Sequence, residues 1–209
     1  MVKSAPNNLP PEPHESNLMP QILTAIIGSA APSKRTKGAV EYVCGRAKAH
    51  AAGLETDIID LAEVVLPLCD GRKWQEVDGV DDAVGRVMAA SSVLMATPIY
   101  RGHYTGALKN LVDWLPPEAL ENKRVGLIAS GATAHHYLII DTNLKPLLAW
   151  FNAVPVPGSV YLTSEDISKE GVPSEKTAKH LDALAAALAA PMPAPETQGP
   201  PSLVKQMWG

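Results

Sequence analysis

The sequence predicts an α/β fold in which a parallel five-stranded sheet, order 2-1-3-4-5, carries helices on both faces. Three observations predict it. Short apolar or β-branched runs alternate with longer segments of helical period between residues 20 and 190, which is the pattern of repeated βα units. Right-handed crossovers leave few topologies for such a chain. Three of the short runs end in small, polar, turn-forming residues, at 28–36, 98–105 and 130–136, and open α/β sheets hold ligands beyond the carboxyl ends of their strands.

The elements follow in order. Residues 21–27 form a short β-rich run ending at Gly28, and residues 36–52 repeat apolar positions at helical spacing (Ala39, Val40, Val43, Ala47) before Gly53. Residues 55–61, with Thr56, Ile58 and Ile59, read as a strand, and residues 80–90 as a helix opened by Asp78 or Gly79. The apolar run 93–97 is a buried strand that leads through Pro98 and Gly102 into a helix over 105–115. Residues 124–129 are a strand closing on Ser130-Gly131. Residues 137–151 have helical character, and Pro146 predicts a bend or an early break there. Residues 159–162 are the last strand, and residues 174–190 an Ala/Leu-rich helix with Ser174 as its N-cap.

The ends differ from this middle. Residues 1–19 are rich in Pro and Asn without a continuous apolar stretch, so they read as a flexible leader and not a secretory signal. Residues 191–209 begin as a Pro-rich tail that lacks the periodicity of a packed element. The domain thus spans residues 20–190. Of the 209 residues 46% are hydrophobic and 19% charged, which suffices for one sizeable core. A net charge of −4 does not mark a binder of nucleic acid or anionic membrane. No apolar run reaches the roughly 18 residues that a membrane span needs. Cys44 and Cys69 have neither metal-ligand nor CxxC spacing, so they read as reduced packing residues of a cytoplasmic protein.

The three turns carry the chemistry. In the first, Ser29, Lys34, Arg35 and Thr36 combine hydroxyls and cations at the opening of a helix, where free N–H groups and the helix dipole favour an anion. It is neither GxxxxGK[ST] nor GxGxxG. In the second, Pro98, Ile99, Tyr100 and Arg101 offer backbone groups and an aromatic, and Gly102 permits close approach. In the third, Ser130, Gly131, Ala132 and Thr133 are small enough for a flat ring to lie against the backbone. His135 and His136 adjoin one another and do not converge on one metal ion. GxSxG and HExxH are absent, as is an obvious nucleophile with its base. Hydride or electron transfer through a bound cofactor needs none of these.

At these residues the chain resembles the NAD(P)H-dependent FMN reductases, which have a flavodoxin-like fold. Gly28-Ser29 followed by Arg35-Thr36 looks like their flavin phosphate loop, and Thr97-Pro98-Ile99-Tyr100 like the loop that holds the isoalloxazine. Gly106-Ala107-Leu108-Lys109-Asn110, Ser130-Gly131-Ala132-Thr133, and Asp141 with Lys145-Pro146 are similar to further family segments. The resemblance spans residues 21–190 and implies FMN and NADPH or NADH as cofactors, with hydride passing to flavin N5. Within the family the chain looks most like the reductase components of two-component sulfonate-type monooxygenases. That implies a flavin-dependent monooxygenase as partner and a homo-oligomer, dimer or tetramer. It also implies a π-bulge at a tetramer interface, at Tyr104. One departure stands out: Ala31 occupies a place where the family's phosphate loop often carries Arg, which leaves compensation to Lys34 or Arg35. Two other readings of the same fold stay open. One is a reductase of quinones, azo dyes or metal oxyanions with tightly held FMN, and the other a flavodoxin-like electron carrier.

Overall fold

The computed structural model describes residues 21–191. The expected leader, residues 1–19, and all of the tail beyond residue 191 lie outside them. Strand β1 (Ile22–Ile27) lies parallel between β2 (Glu55–Asp60) and β3 (Ser92–Tyr100), and β3 in turn lies parallel to β5 (Arg124–Ser130). Two short strands, β6 (Val154–Pro155) and β7 (Val160–Leu162), line the outer side of β5 in tandem. The order β2-β1-β3-β5-β6 is the expected 2-1-3-4-5, with the last strand divided in two around Pro157-Gly158.

The alternation of side chains along each strand sorts the core into two layers. Leu23, Ala25 and Ile27 of β1, Leu94 and Ala96 of β3 and Ile128 of β5 pack under α1 (Lys34–His50) and α5 (Glu175–Ala189). Ile26, Val93, Met95, Val125 and Leu127 face α2 (Val80–Ala89), α3 (Gly106–Trp114) and α4 (Lys145–Trp150). The strands are buried on both faces, which accounts for their near-continuous apolar runs.

Two local departures have physical causes. Strand β4 (His103–Tyr104), not foreseen in the sequence, pairs antiparallel with the end of β3, Tyr100 opposite His103. The connecting residues Arg101 (φ 53) and Gly102 (φ 76) both have positive φ, as a two-residue hairpin turn requires. The second lies in 137–151, expected as one helix with a break. Its regular part is a π turn, Ile140–Leu144, running into α4. Pro146 stands in the first turn of α4, where its missing N–H costs nothing, and the Lys145 amide reaches back to the Ile140 carbonyl. The π-bulge expected at Tyr104 is therefore corrected: Tyr104 is a buried residue of β4, and the π turn occurs in 140–144.

Candidate active site

Buried hydroxyls tie the three turns together at the carboxyl ends of the strands. Thr105 caps α3 by accepting from the Leu108 amide, and its hydroxyl donates to the Gly28 carbonyl at the end of β1. Thr36, in the first turn of α1, shares hydrogen bonds with Ser33 at 2.9 Å and with Ser130 at 3.2 Å. The first turn is thus joined to the second by Thr105 and to the third by Thr36.

Between the turns lies a cavity of about 540 Å³, within the range of small-molecule sites. Of the residues singled out in the sequence, Lys34, Arg35, Pro98, Ile99, Tyr100, Ser130, Gly131 and Ala132 line it. Ser29, Thr36, Arg101 and Thr133 do not. Ser29 is fully buried and its hydroxyl donates back to the Ala31 carbonyl at 2.7 Å, so it shapes the first turn from behind. Thr36 is likewise buried in its two hydrogen bonds. Arg101 sits exposed at the tip of the β3–β4 hairpin. The Thr133 carbonyl accepts from the Tyr161 hydroxyl at 2.8 Å.

The two ends of the cavity differ in chemistry. One end is walled by Pro98, Ile99 and Tyr100 against Ser130, Gly131 and Ala132. In a two-residue hairpin the flanking pair, here Tyr100 and His103, exchanges the ladder bonds, which turns the Ile99 amide away from β4. The Gly131 amide is already spent on the Leu162 carbonyl at 2.9 Å, which leaves Ala132 as the donor of that turn. A Cβ on Gly131 would stand 2.1 Å from the Tyr161 hydroxyl. Glycine is thus needed to admit a neighbouring phenol, rather than a ligand as its sequence context suggests.

The other end is cationic. Lys34 and Arg35 enter from the start of α1, whose N-cap Ser33 also lines the cavity. The Arg35 Nε is buried with no hydrogen-bond partner among the described residues. A buried donor left unpaired calls for an acceptor, and an anion held by these two residues supplies one. Four further lining residues escaped the sequence reading: Ser33, Leu162, Thr163 and Lys169. Ser33 announces itself as an N-cap four residues after Ser29. Leu162 ends β7, and Thr163 and Lys169 come from the loop beyond it, which has no binding motif.

Comparison with known proteins agrees with this geometry. Residues 22–167 match the family described as NADPH-dependent FMN reductase. The chain is 36% identical over 132 residues to an NAD(P)H-dependent FAD/FMN reductase of Geobacillus thermodenitrificans, covering 63% of this chain and 71% of that one. It is 30% identical over 174 residues to the NADH-dependent FMN reductase SfnF of Pseudomonas fluorescens, covering 83% and 92%. In fold it is similar to the apo form of the NADH:FMN oxidoreductase EmoB, with a TM-score of 0.71 at 24% identity over 85% of this chain and 94% of that one. The match over most of the domain and the shared flavodoxin-like architecture lead to one assignment: the chain belongs to the NADPH-dependent FMN reductase family.

Proposed function

We propose that this protein reduces FMN with NADPH or NADH and releases the reduced flavin to a partner flavin-dependent monooxygenase. The family it belongs to already makes it an oxidoreductase that uses FMN and NAD(P)H. The observation that carries the proposal is one cavity lined both by the second and third turns and by two cations, one of them with a buried donor unpaired among the described residues.

FMN, when bound, would supply the hydride acceptor for the reduced nicotinamide. The residues of this chain bind and orient it. Lys34 and Arg35 hold the phosphate, Arg35 through its free Nε and Lys34 as a point charge. Pro98, Ile99, Tyr100, Ser130, Gly131 and Ala132 wall the ring. The Ile99 and Ala132 amides face its polar edge, where preorganised donors stabilise the negative charge of the reduced state. Ser29, Thr36 and Thr133 keep the turns in shape from behind. Tyr100, 56% exposed at the rim, gives the nicotinamide a surface to rest on, and Arg101 lies beside it for the nucleotide phosphates.

Release to a monooxygenase is supported by the likeness to the FMN reductase SfnF and gains nothing from Tyr104, which lies in β4. A homotetramer, or the dimer within it, is supported by apolar surface around the π turn. Tyr137, Leu138 and Trp150 are about half exposed there, as if awaiting a second copy. A cytoplasmic location is supported by Cys44 and Cys69, both free thiols. No helix of the described residues is long and apolar enough to cross a membrane.

The test is NADPH and NADH oxidation by pure protein with and without added FMN, followed by desalting. Turnover that rises and saturates with FMN, and flavin that is lost on desalting, is the expected result. Absence of FMN-dependent oxidation with either nucleotide overturns the proposal. Protein that stays yellow through desalting overturns the release step and favours a tightly held FMN serving quinone, azo or metal-oxyanion acceptors.

A further inference from the structure

Among the described residues most cations near the carboxyl ends of the strands are neutralised: Lys37 by Asp60 and Glu63, Lys109 by Asp113, Lys145 by Asp141. Lys34, Arg35 and Lys169 make no ion pair among the described residues, and all three line one cavity. The third comes from far along the chain, on a loop that is held firmly. Residues 163–173 fold around Asp166, whose carboxylate accepts from the Thr163 amide at 2.8 Å and the Thr163 hydroxyl at 2.7 Å. Its carbonyl accepts from the Ser174 amide at 2.9 Å, and Ile167 bridges Pro173. Lys169 and Glu170 then occupy the middle of a turn closed by the Gly171 amide on the Ser168 carbonyl, at 3.1 Å.

That turn is seated on α1. A Cβ at Gly38 would lie 2.3 Å from the Gly171 carbonyl oxygen, and one at Gly171 (φ +87) would lie 2.6 Å from the Lys34 carbonyl oxygen. The two glycines let the backbones touch, so Lys169 lines the same cavity as Lys34 and Arg35. Glu170 is the carboxylate of this turn. The Ser168 hydroxyl, with Lys34 and Arg35 nearby, holds its carboxyl below the usual range. Three cations against one carboxylate leave an excess of positive charge that suits a phosphate monoester, which carries about −1.5 to −2 at pH 7.

We infer that Lys169, carried onto the first turn of α1 by the Gly38–Gly171 contact, is a third phosphate-binding cation that makes the site select FMN over riboflavin. It supplies the charge that Ala31 does not. This rests on the proposed function, and the experiment separates the two. Flavin fluorescence quenching gives Kd for FMN and riboflavin in the wild type, Lys169→Ala, Lys169→Arg, Lys169→Glu and, as reference, Arg35→Ala. Lys169→Glu should raise the FMN Kd about tenfold or more and the riboflavin Kd less than about twofold. Lys169→Ala should do the same to a smaller extent, and Lys169→Arg should keep the wild-type preference. Raising the salt should shrink the difference between wild type and Lys169→Ala. Lys169 is exposed on its turn, so these variants fold. Unchanged FMN preference in Lys169→Glu, with the preference lost in Arg35→Ala, overturns the role of Lys169 and leaves the proposed function standing. A rise only in the KM for NADPH also overturns it, since Lys169 would then serve the nucleotide. Wild-type protein that binds neither flavin overturns both.

Discussion

The two ends of the cavity are built on opposite terms. At the ring end hydrogen bonds are already made: Gly131 to Leu162, Tyr161 to Thr133, Tyr100 paired with His103. What remains there is a shape with a few fixed donors. At the cationic end, among the described residues, the Arg35 Nε has no partner and three cations outnumber the Glu170 carboxylate beside them. Shape recognition can be completed by folding alone, whereas phosphate recognition needs charge that folding leaves unbalanced. Binding through the first end should therefore be nearly insensitive to ionic strength, and binding through the second should weaken as salt rises.

The largest expected effect comes from breaking the support of the cationic end. Gly38→Ala places a methyl where the Gly171 backbone already lies, an overpacking that costs about 1–3 kcal/mol. Gly45→Ala, in the same helix with nothing within 4 Å of the added methyl, should stabilise by up to about 1 kcal/mol through helix propensity. Urea unfolding of the two variants should give shifts of opposite sign. Stabilisation at both positions would mean that the 163–173 loop is not seated on α1.

Removal of one charge is the next step down. Arg35→Ala should raise the FMN Kd about tenfold, or about 1.4 kcal/mol, and leave riboflavin within about twofold. Equal losses for the two flavins would show that Arg35 acts on the shape of the cavity and erase the contrast between its ends.

The contrast also governs what was legible in the sequence. The sheet order, the three turns and the ring walls follow from local signals: apolar runs, Gly, Pro and an N-cap. They also depend on contacts between strands that are adjacent in the sheet. Ser29 and Thr36 carry the right chemistry for phosphate, yet the structure turns their hydroxyls inward to Ala31, Ser33 and Ser130. Their residue type could not reveal that use. Arg101 stands outside the cavity because the hairpin that lifts it to the tip has Arg-Gly at its turn, where Asn-Gly would have been the readable signal. Lys169 was invisible for a different reason. Its position depends on Gly38 meeting Gly171, two glycines with no pattern linking them along the chain.

The smallest effect sharpens the other end. Tyr161→Phe removes the hydroxyl that donates to the Thr133 carbonyl at a site partly open to water, so the loss should fall near the lower end of about 0.5–1.5 kcal/mol. The same hydroxyl is what a methyl on Gly131 would strike. Gly131→Ala should therefore cost more in the wild type than in the Tyr161→Phe background. The double-mutant cycle should return a coupling of at least about 0.5 kcal/mol. Both flavins should lose affinity together in Gly131→Ala, since under the proposed function the turn that moves walls the ring. A selective loss of FMN there would mean that the third turn reaches the phosphate, and the division of labour between the two ends would fail.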